Sequence, residues 1–146
     1  MNSPRRTGFS LIGGFTLIEV MIAMAIVAIL TAIAFPSYQN YITRSSRSAA
    51  QTELLEMANL QEKIYLNTTS YSVSVTAAYN GRSDGGLGKT PGTTADGKYT
   101  LAITPNAIPT QTFLITATPV VGSTQDGDGV MTISSNGTRL HAGVPW

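Results

Sequence analysis

Gly14-Phe15-Thr16-Leu17-Ile18-Glu19, running on as an apolar stretch to Phe35-Pro36, decides how this chain folds. From Val20 to Thr43 there is no charged residue, and Glu19 is the only charge in the apolar block. About 20 predominantly apolar residues suffice to cross a bilayer core as a helix, and this run is longer. An acid inside such a run is costly and therefore marks function. Ahead of it lies a short basic leader with Arg5 and Arg6. A secretory signal places its apolar region before the cut, with small residues at the cleavage site. Here the apolar region follows Gly14 rather than preceding it.

Working outward, one long helix is expected from Phe15 to about Leu66. No Gly occurs in that span, and its only Pro is Pro36. At about 1.5 Å per residue such a helix is roughly 75–80 Å long. Its first half is apolar on every side, which suits lipid or the inside of a bundle. Pro36 removes a backbone donor and crowds the preceding turn, so a kink or local melting is expected there. Thr31 can return its hydroxyl to a carbonyl one turn back. Tyr38 and Tyr41 follow the run, where interfacial aromatics sit. In the second half, Ala50, Leu54, Met57, Gln61, Ile64 and Tyr65 share one face, with Glu53, Glu56, Asn59 and Lys63 mostly elsewhere. That stripe predicts packing against a sheet.

Asn67-Thr68-Thr69-Ser70 ends the helix. Residues 80–97, rich in Gly, Ser, Thr and Asp, read as a long surface loop. Three strands are expected: Lys98 to Thr104 with Tyr99, Leu101 and Ile103 on one face; Thr112 to Thr118 with Phe113, Ile115 and Ala117 together and Leu114 opposite; and Gly129 to Ser134 with Met131 and Ile133 paired. Asn136-Gly137 is a tight-turn pair, which brings a short fourth strand at Thr138-Arg139-Leu140. The whole is α+β: a long N-terminal helix packed on a small antiparallel meander.

The opening stretch resembles the type IV prepilin signal. It has a basic leader, Gly14 at the cut, Phe15 after it, Glu19 at the fifth mature position and Pro36 near the end of the apolar run. Gly8-Phe9 is a decoy, because its fifth position is Gly13 rather than an acid. The segment from Pro36 through Tyr41 and Glu53-Leu54-Leu55-Glu56 to Tyr65, with Tyr71-Ser72 after it, is most similar to PilE-type minor pilins. The resemblance implies a leader at 1–14, a transmembrane or filament-core helix half at 15–43 and a periplasmic or extracellular domain at 44–146. It implies a prepilin peptidase that cuts between Gly14 and Phe15 and methylates the Phe15 amine. The partners it implies are other pilin subunits, major and minor, a pilus assembly platform and the inner membrane, with the chain leaving the membrane for an extracellular filament. Glu19 would then pair with the Phe15 amine of a neighbouring subunit, the one cation the mature apolar segment offers. The chain departs from the family at its end: Asp128-Gly129 and Pro145-Trp146 stand where Cys-Gly and Cys-Trp are usual.

The 146 residues contain no cysteine and carry a formal net charge of +1. Removing Arg5 and Arg6 from the nine Lys/Arg leaves seven against eight Asp/Glu, formally −1. This is not the balance of a dedicated nucleic-acid binder. A small exported domain without disulfides must rely on packing and on neighbouring subunits. One histidine, His141, in a Gly/Pro-flanked tail reads as a surface residue, and no catalytic spacing accompanies it. Asp126-Gly127-Asp128 offers two carboxylates where calcium needs about six oxygens, so a solvated turn is the reading and neither metal nor cofactor is expected. The function read here is a structural pilus subunit, not an enzyme, serving twitching motility, adhesion or DNA uptake. Alternatives are a pilin that binds DNA or a surface directly, a type II secretion pseudopilin, and a solitary membrane-anchored domain. For DNA, Arg82, Lys89 and Lys98 lie near Tyr79 and Tyr99, but Asp84 and Asp96 intervene, which favours a solvated loop.

Overall fold

The structure, a computed structural model, describes residues 14–106 and 111–146. The leader apart from Gly14, and the Gly8-Phe9 decoy, lie outside the described residues. The chain divides into two compact units, one ending at Tyr38 and the other spanning Gln39–Trp146.

Helix α1, Leu17–Thr68, is assigned without interruption through Pro36. Its start is built by Thr16 and Glu19: the Glu19 backbone N–H donates to Thr16 Oγ1 at 3.3 Å, and the Thr16 N–H and hydroxyl each donate to Glu19 Oε2 at 3.4 Å. This is a reciprocal capping box, which satisfies backbone donors that a helix start leaves orphaned. Thr31 donates its hydroxyl to the Val27 carbonyl at 2.8 Å, as its type and position predict. At the other end Thr68 donates to the Ile64 carbonyl. Thr69 then adopts φ 54° and closes the last turn on the Tyr65 carbonyl. A β-branched residue rarely takes that conformation, so the stop is held by its surroundings.

In the first unit every large apolar side chain from Leu17 to Phe35 is 50–78% exposed. Among the described residues no protein atoms cover this surface, and the helix is long and apolar enough to cross a membrane. In the second unit α1 buries Ser46, Ala50, Leu54, Met57, Gln61 and Ile64 along one stripe, with Tyr65 half-buried beside it. The stripe packs with the inner faces of a five-stranded antiparallel meander in the order β1 (Tyr99–Asn106), β2 (Thr112–Pro119), β3 (Met131–Ser134), β4 (Arg139–His141) and β5 (Val144–Pro145). Strand alternation is as the sequence requires: Tyr99, Leu101, Phe113, Ile115, Ala117, Met131 and Ile133 are buried, and Leu114 faces out. Register opposes Ile103 to Ile115 and Ile115 to Ile133. Tyr71 stacks on Tyr65 with centroids 4.7 Å apart and meets Phe113 edge-on at 4.8 Å.

Two expectations need correction. The sheet has a fifth strand, Val144–Pro145, which pairs with β4. Two residues, one of them a proline, carry no readable alternation. The 80–97 segment is also more than a surface loop. It buries Leu87 and Thr94, bridges Ser74 to Gly86 and Thr93 to Thr100, and is tied to α1 where Ala95 N–H donates to Glu53 at 2.8 Å and Lys89 pairs with Glu56 at 3.0 Å. Gly-, Ser- and Thr-rich composition supplies turns here, and the backbone bonds inward.

Candidate functional site

Two places carry the chemistry: the helix start and a buried polar cluster in the second unit. At the start, Phe15 is 85% exposed and the space around Gly14 is open among the described residues. Among the described residues, Glu19 therefore sits one turn inside an exposed helix end. Its carboxylate already has donors within the chain, the Thr16 N–H and hydroxyl. The Thr-x-x-Glu spacing is the signal for that cap, and a reading of Glu19 as a charge alone passes over it. An anion here also meets the positive end of the helix dipole. The apolar surface that follows includes a shallow hollow formed by Leu30, Thr31, Ala34, Phe35 and Tyr38.

The second place centres on Asp128, whose side chain is 5% exposed. Arg47 of α1 donates to it twice, through Nε at 2.9 Å and through Nη2. The Tyr99 hydroxyl of β1 donates to Oδ2 at 2.6 Å. His141 Nε2 of β4 lies 2.6 Å from the Asp128 carbonyl and 3.5 Å from Oδ2. A carbonyl can only accept, so Nε2 carries the hydrogen. The Arg47 hydrogen bonds hold the Asp128 carboxyl below its ordinary range, against burial, and Tyr99 adds to this. The same hydrogen bonds raise Arg47. Burial first, and then the bond to Asp128, push the Tyr99 phenol upward.

The cluster explains Gly129. At φ 97° a side chain is strained, and a Cβ would lie 2.8 Å from the Ala142 Cβ. Positions 128 and 145, where the family resemblance expects cysteines, are connected without a bond between them. The Asp128 carbonyl holds His141, and β4 pairs His141 with Val144 and Leu140 with Pro145. Trp146 follows, half-buried against the core, with the Arg139 guanidinium 5.6 Å from its ring centroid. The readings of His141 as a surface residue and of Asp128 as part of a solvated turn are therefore corrected: both belong to a largely buried network. Asp126 turns away, accepting the Gly122 N–H at 2.9 Å. No group of three or more His, Cys, Asp or Glu suited to a metal occurs among the described residues.

The residues considered for DNA do not form one stacking stripe. Tyr99 is wholly buried, Lys89 is paired with Glu56, Arg82 with Asp84 at 3.7 Å, and Lys98 donates to Ser46 at 3.2 Å. Tyr79 alone of the two tyrosines keeps substantial exposure, at 43%.

Comparison with known proteins follows the same division. Residues 36–132 match a family model described as type IV minor pilin ComP, DNA uptake sequence receptor. Residues 13–35 match the prokaryotic N-terminal methylation motif. The type IV major fimbrial protein FimA of Dichelobacter nodosus is 36% identical over 129 residues, covering 87% of this chain and 74% of that protein. Fimbrial protein EcpC of Eikenella corrodens is 62% identical over 37 residues, covering 25% of this chain and 24% of that protein. Among solved structures, a type IV pilin from Shewanella oneidensis superposes with a TM-score of 0.51 at 23% identity, over 71% of this chain and 97% of that one, a likeness of fold.

Proposed function

The chain belongs to the type IV pilins, membrane-anchored structural subunits that assemble with other pilins into a pilus, and on that premise we propose that it is a minor subunit. The family and fold are those of structural proteins, not enzymes. The observation that favours a minor role is the match to a minor-pilin family over residues 36–132, most of the second unit. The likeness to a major fimbrial protein pulls the other way. Abundance decides between them. Quantification in sheared pili is expected to find this chain well below the main subunit, and finding it as the principal protein of the fibre overturns the minor role.

In this reading a prepilin peptidase removes residues 1–14 on the cytoplasmic side of the inner membrane and methylates Phe15. The uncharged half, 15–43, waits in lipid and then enters the filament core, where its exposed apolar surface is buried against other subunits. The domain from 44 onward forms part of the filament skin. Glu19 of an incoming subunit meets the freed Phe15 amine of the one before it. At ~4 Å and an effective dielectric near 20 the attraction is about 4 kcal/mol before desolvation. An offset subunit leaves buried charges unpaired, so the pair also sets register.

A second reading is favoured by the description of the matched family as a DNA uptake sequence receptor: the exposed domain itself engages DNA. Its test is retention of the purified chain on DNA at low and at moderate salt. Binding that weakens with salt supports it, since phosphate contacts release counterions, and no binding at low salt ends it.

A further inference from the structure

We infer that Asn80-Gly81 is a site of self-modification, where Asn80 loses its amide nitrogen and becomes an aspartyl or isoaspartyl residue. The chain holds two Asn-Gly pairs, Asn80-Gly81 and Asn136-Gly137. In such a pair the backbone nitrogen of the glycine can attack the asparagine side-chain carbon, because the following residue has no Cβ to obstruct the approach. At the first pair, the Gly81 nitrogen gives its proton to water and bonds to the Asn80 Cγ. The bond from Cγ to Nδ2 then breaks, and that nitrogen takes up a proton and leaves as ammonia. The product is a five-membered succinimide. Water adds to one of its two carbonyls and reopens the ring. Opening on one side gives an aspartyl residue; opening on the other gives an isoaspartyl residue, with the chain rerouted through Cγ. The sum is one water consumed and one ammonia released, with no oxidant.

The fold treats the two pairs differently. Attack needs an available nucleophile and hydrogen-bond donors on the oxygen where negative charge develops. Both asparagines meet the second condition. The Arg82 backbone N–H donates to Asn80 Oδ1 at 2.9 Å. The Thr138 N–H donates to Asn136 Oδ1 at 2.9 Å, and the Ser134 hydroxyl does so at 2.5 Å. The nucleophile separates them. The Gly137 N–H donates to the Ser134 carbonyl at 2.9 Å, inside the turn that joins β3 to β4. The Gly81 N–H makes no hydrogen bond among the described residues. Asn80 is exposed, so the water that both steps require has access. Its amide is held in place: Nδ2 donates to Asp84 Oδ1 at 3.2 Å, and Oδ1 lies so close over Gly85 that a Cβ there has no room. Conversion replaces that donor by a second carboxylate facing Asp84, and like charges so close repel. An isoaspartyl link also shifts Gly81, whose carbonyl the Asn67 side chain of α1 holds at 3.0 Å. With age the 80–86 turn therefore loosens and its surface becomes more acidic.

The test follows the purified wild-type full chain in detergent, kept warm at mildly alkaline pH for several weeks, with circular dichroism confirming at each time point that it stays folded. A parallel sample is kept in concentrated urea, where the sequence acts without the fold. Peptides from both are separated, and mass spectrometry counts aspartyl and isoaspartyl residues at 80 and at 136. In the folded chain, conversion at 80 is expected to be faster than at 136 by about fivefold or more, the factor that one net hydrogen bond on the Gly137 nitrogen represents. In urea the two rates are expected to converge. Equal rates in the folded chain, a faster rate at 136, or no conversion at 80 overturns the proposal. The same preference for 80 in urea also overturns it, because the difference then belongs to the neighbouring residues and not to the fold.

Discussion

Replacing Asp128 by alanine removes the acceptor that gathers α1, β1 and the loop before β3. Arg47, with its side chain 32% exposed, regains some water, but Tyr99 is wholly buried and its hydroxyl is left without its acceptor. Breaking one side of a buried pair costs about 3–5 kcal/mol. Discounting for the partial exposure of Arg47 gives about 2–4 kcal/mol. A domain of this size is stabilised by about 5–15 kcal/mol, so the variant loses a large fraction of its stability. Urea unfolding of Gln39–Trp146, the compact second unit, measures this. Asp128→Ala and Arg47→Ala are expected to be non-additive, since both remove the same contact. A loss below about 0.5 kcal/mol for Asp128→Ala, the range of ordinary surface substitutions, refutes the view that this cluster holds the C-terminal region.

The same carboxylate gives a pH dependence. Its folded value is depressed below the ordinary 3.8, so its stabilisation is full above that value and is lost as pH falls through the folded one; urea midpoints of wild type and Asp128→Ala should differ at neutral pH and converge in strong acid. Gly129→Ala should cost about 1 kcal/mol or more, because positive φ and the close Ala142 Cβ act together, whereas Gly137→Ala meets open space and suffers only the φ strain; equal losses in thermal melts contradict the close approach. Gly14→Val meets nothing within 4 Å in the described residues, so it should leave the fold intact and the leader attached. N-terminal sequencing of the wild-type membrane form should begin at Phe15, and a start at Phe9 contradicts cleavage at Gly14.

The helix, its buried stripe and the strand faces were legible because each repeats at its own period, as with Ala50, Leu54, Met57 and Ile64, or with Phe113, Ile115 and Ala117. The polar cluster was not. Arg47 and Asp128 are 81 residues apart, Tyr99 and Asp128 are 29 apart, and no local pattern joins them. Alternation places Tyr99 on the core face, but it says nothing about what its hydroxyl meets. Leu87 was hidden by glycines on both sides, whose turns bring it inward. The capping box is open to view in Thr16-x-x-Glu19, but the charge of Glu19 in an apolar run has the larger consequence and dominates the reading of that stretch.

That cap supplies the means to test the central claim, that the charge of Glu19 directs assembly. Glutamine serves as well as glutamate in a capping box, so Glu19→Gln keeps the local bonds to Thr16 and removes only the charge. Thr16→Val does the reverse, removing the hydroxyl and keeping the charge. The decisive measurement is the amount of each variant in sheared pili relative to the amount processed in the membrane. Glu19→Gln is expected to be cleaved, membrane-resident and absent from pili, while Thr16→Val still incorporates. Incorporation of Glu19→Gln at the wild-type level would contradict the charge pairing and leave Glu19 as a helix cap.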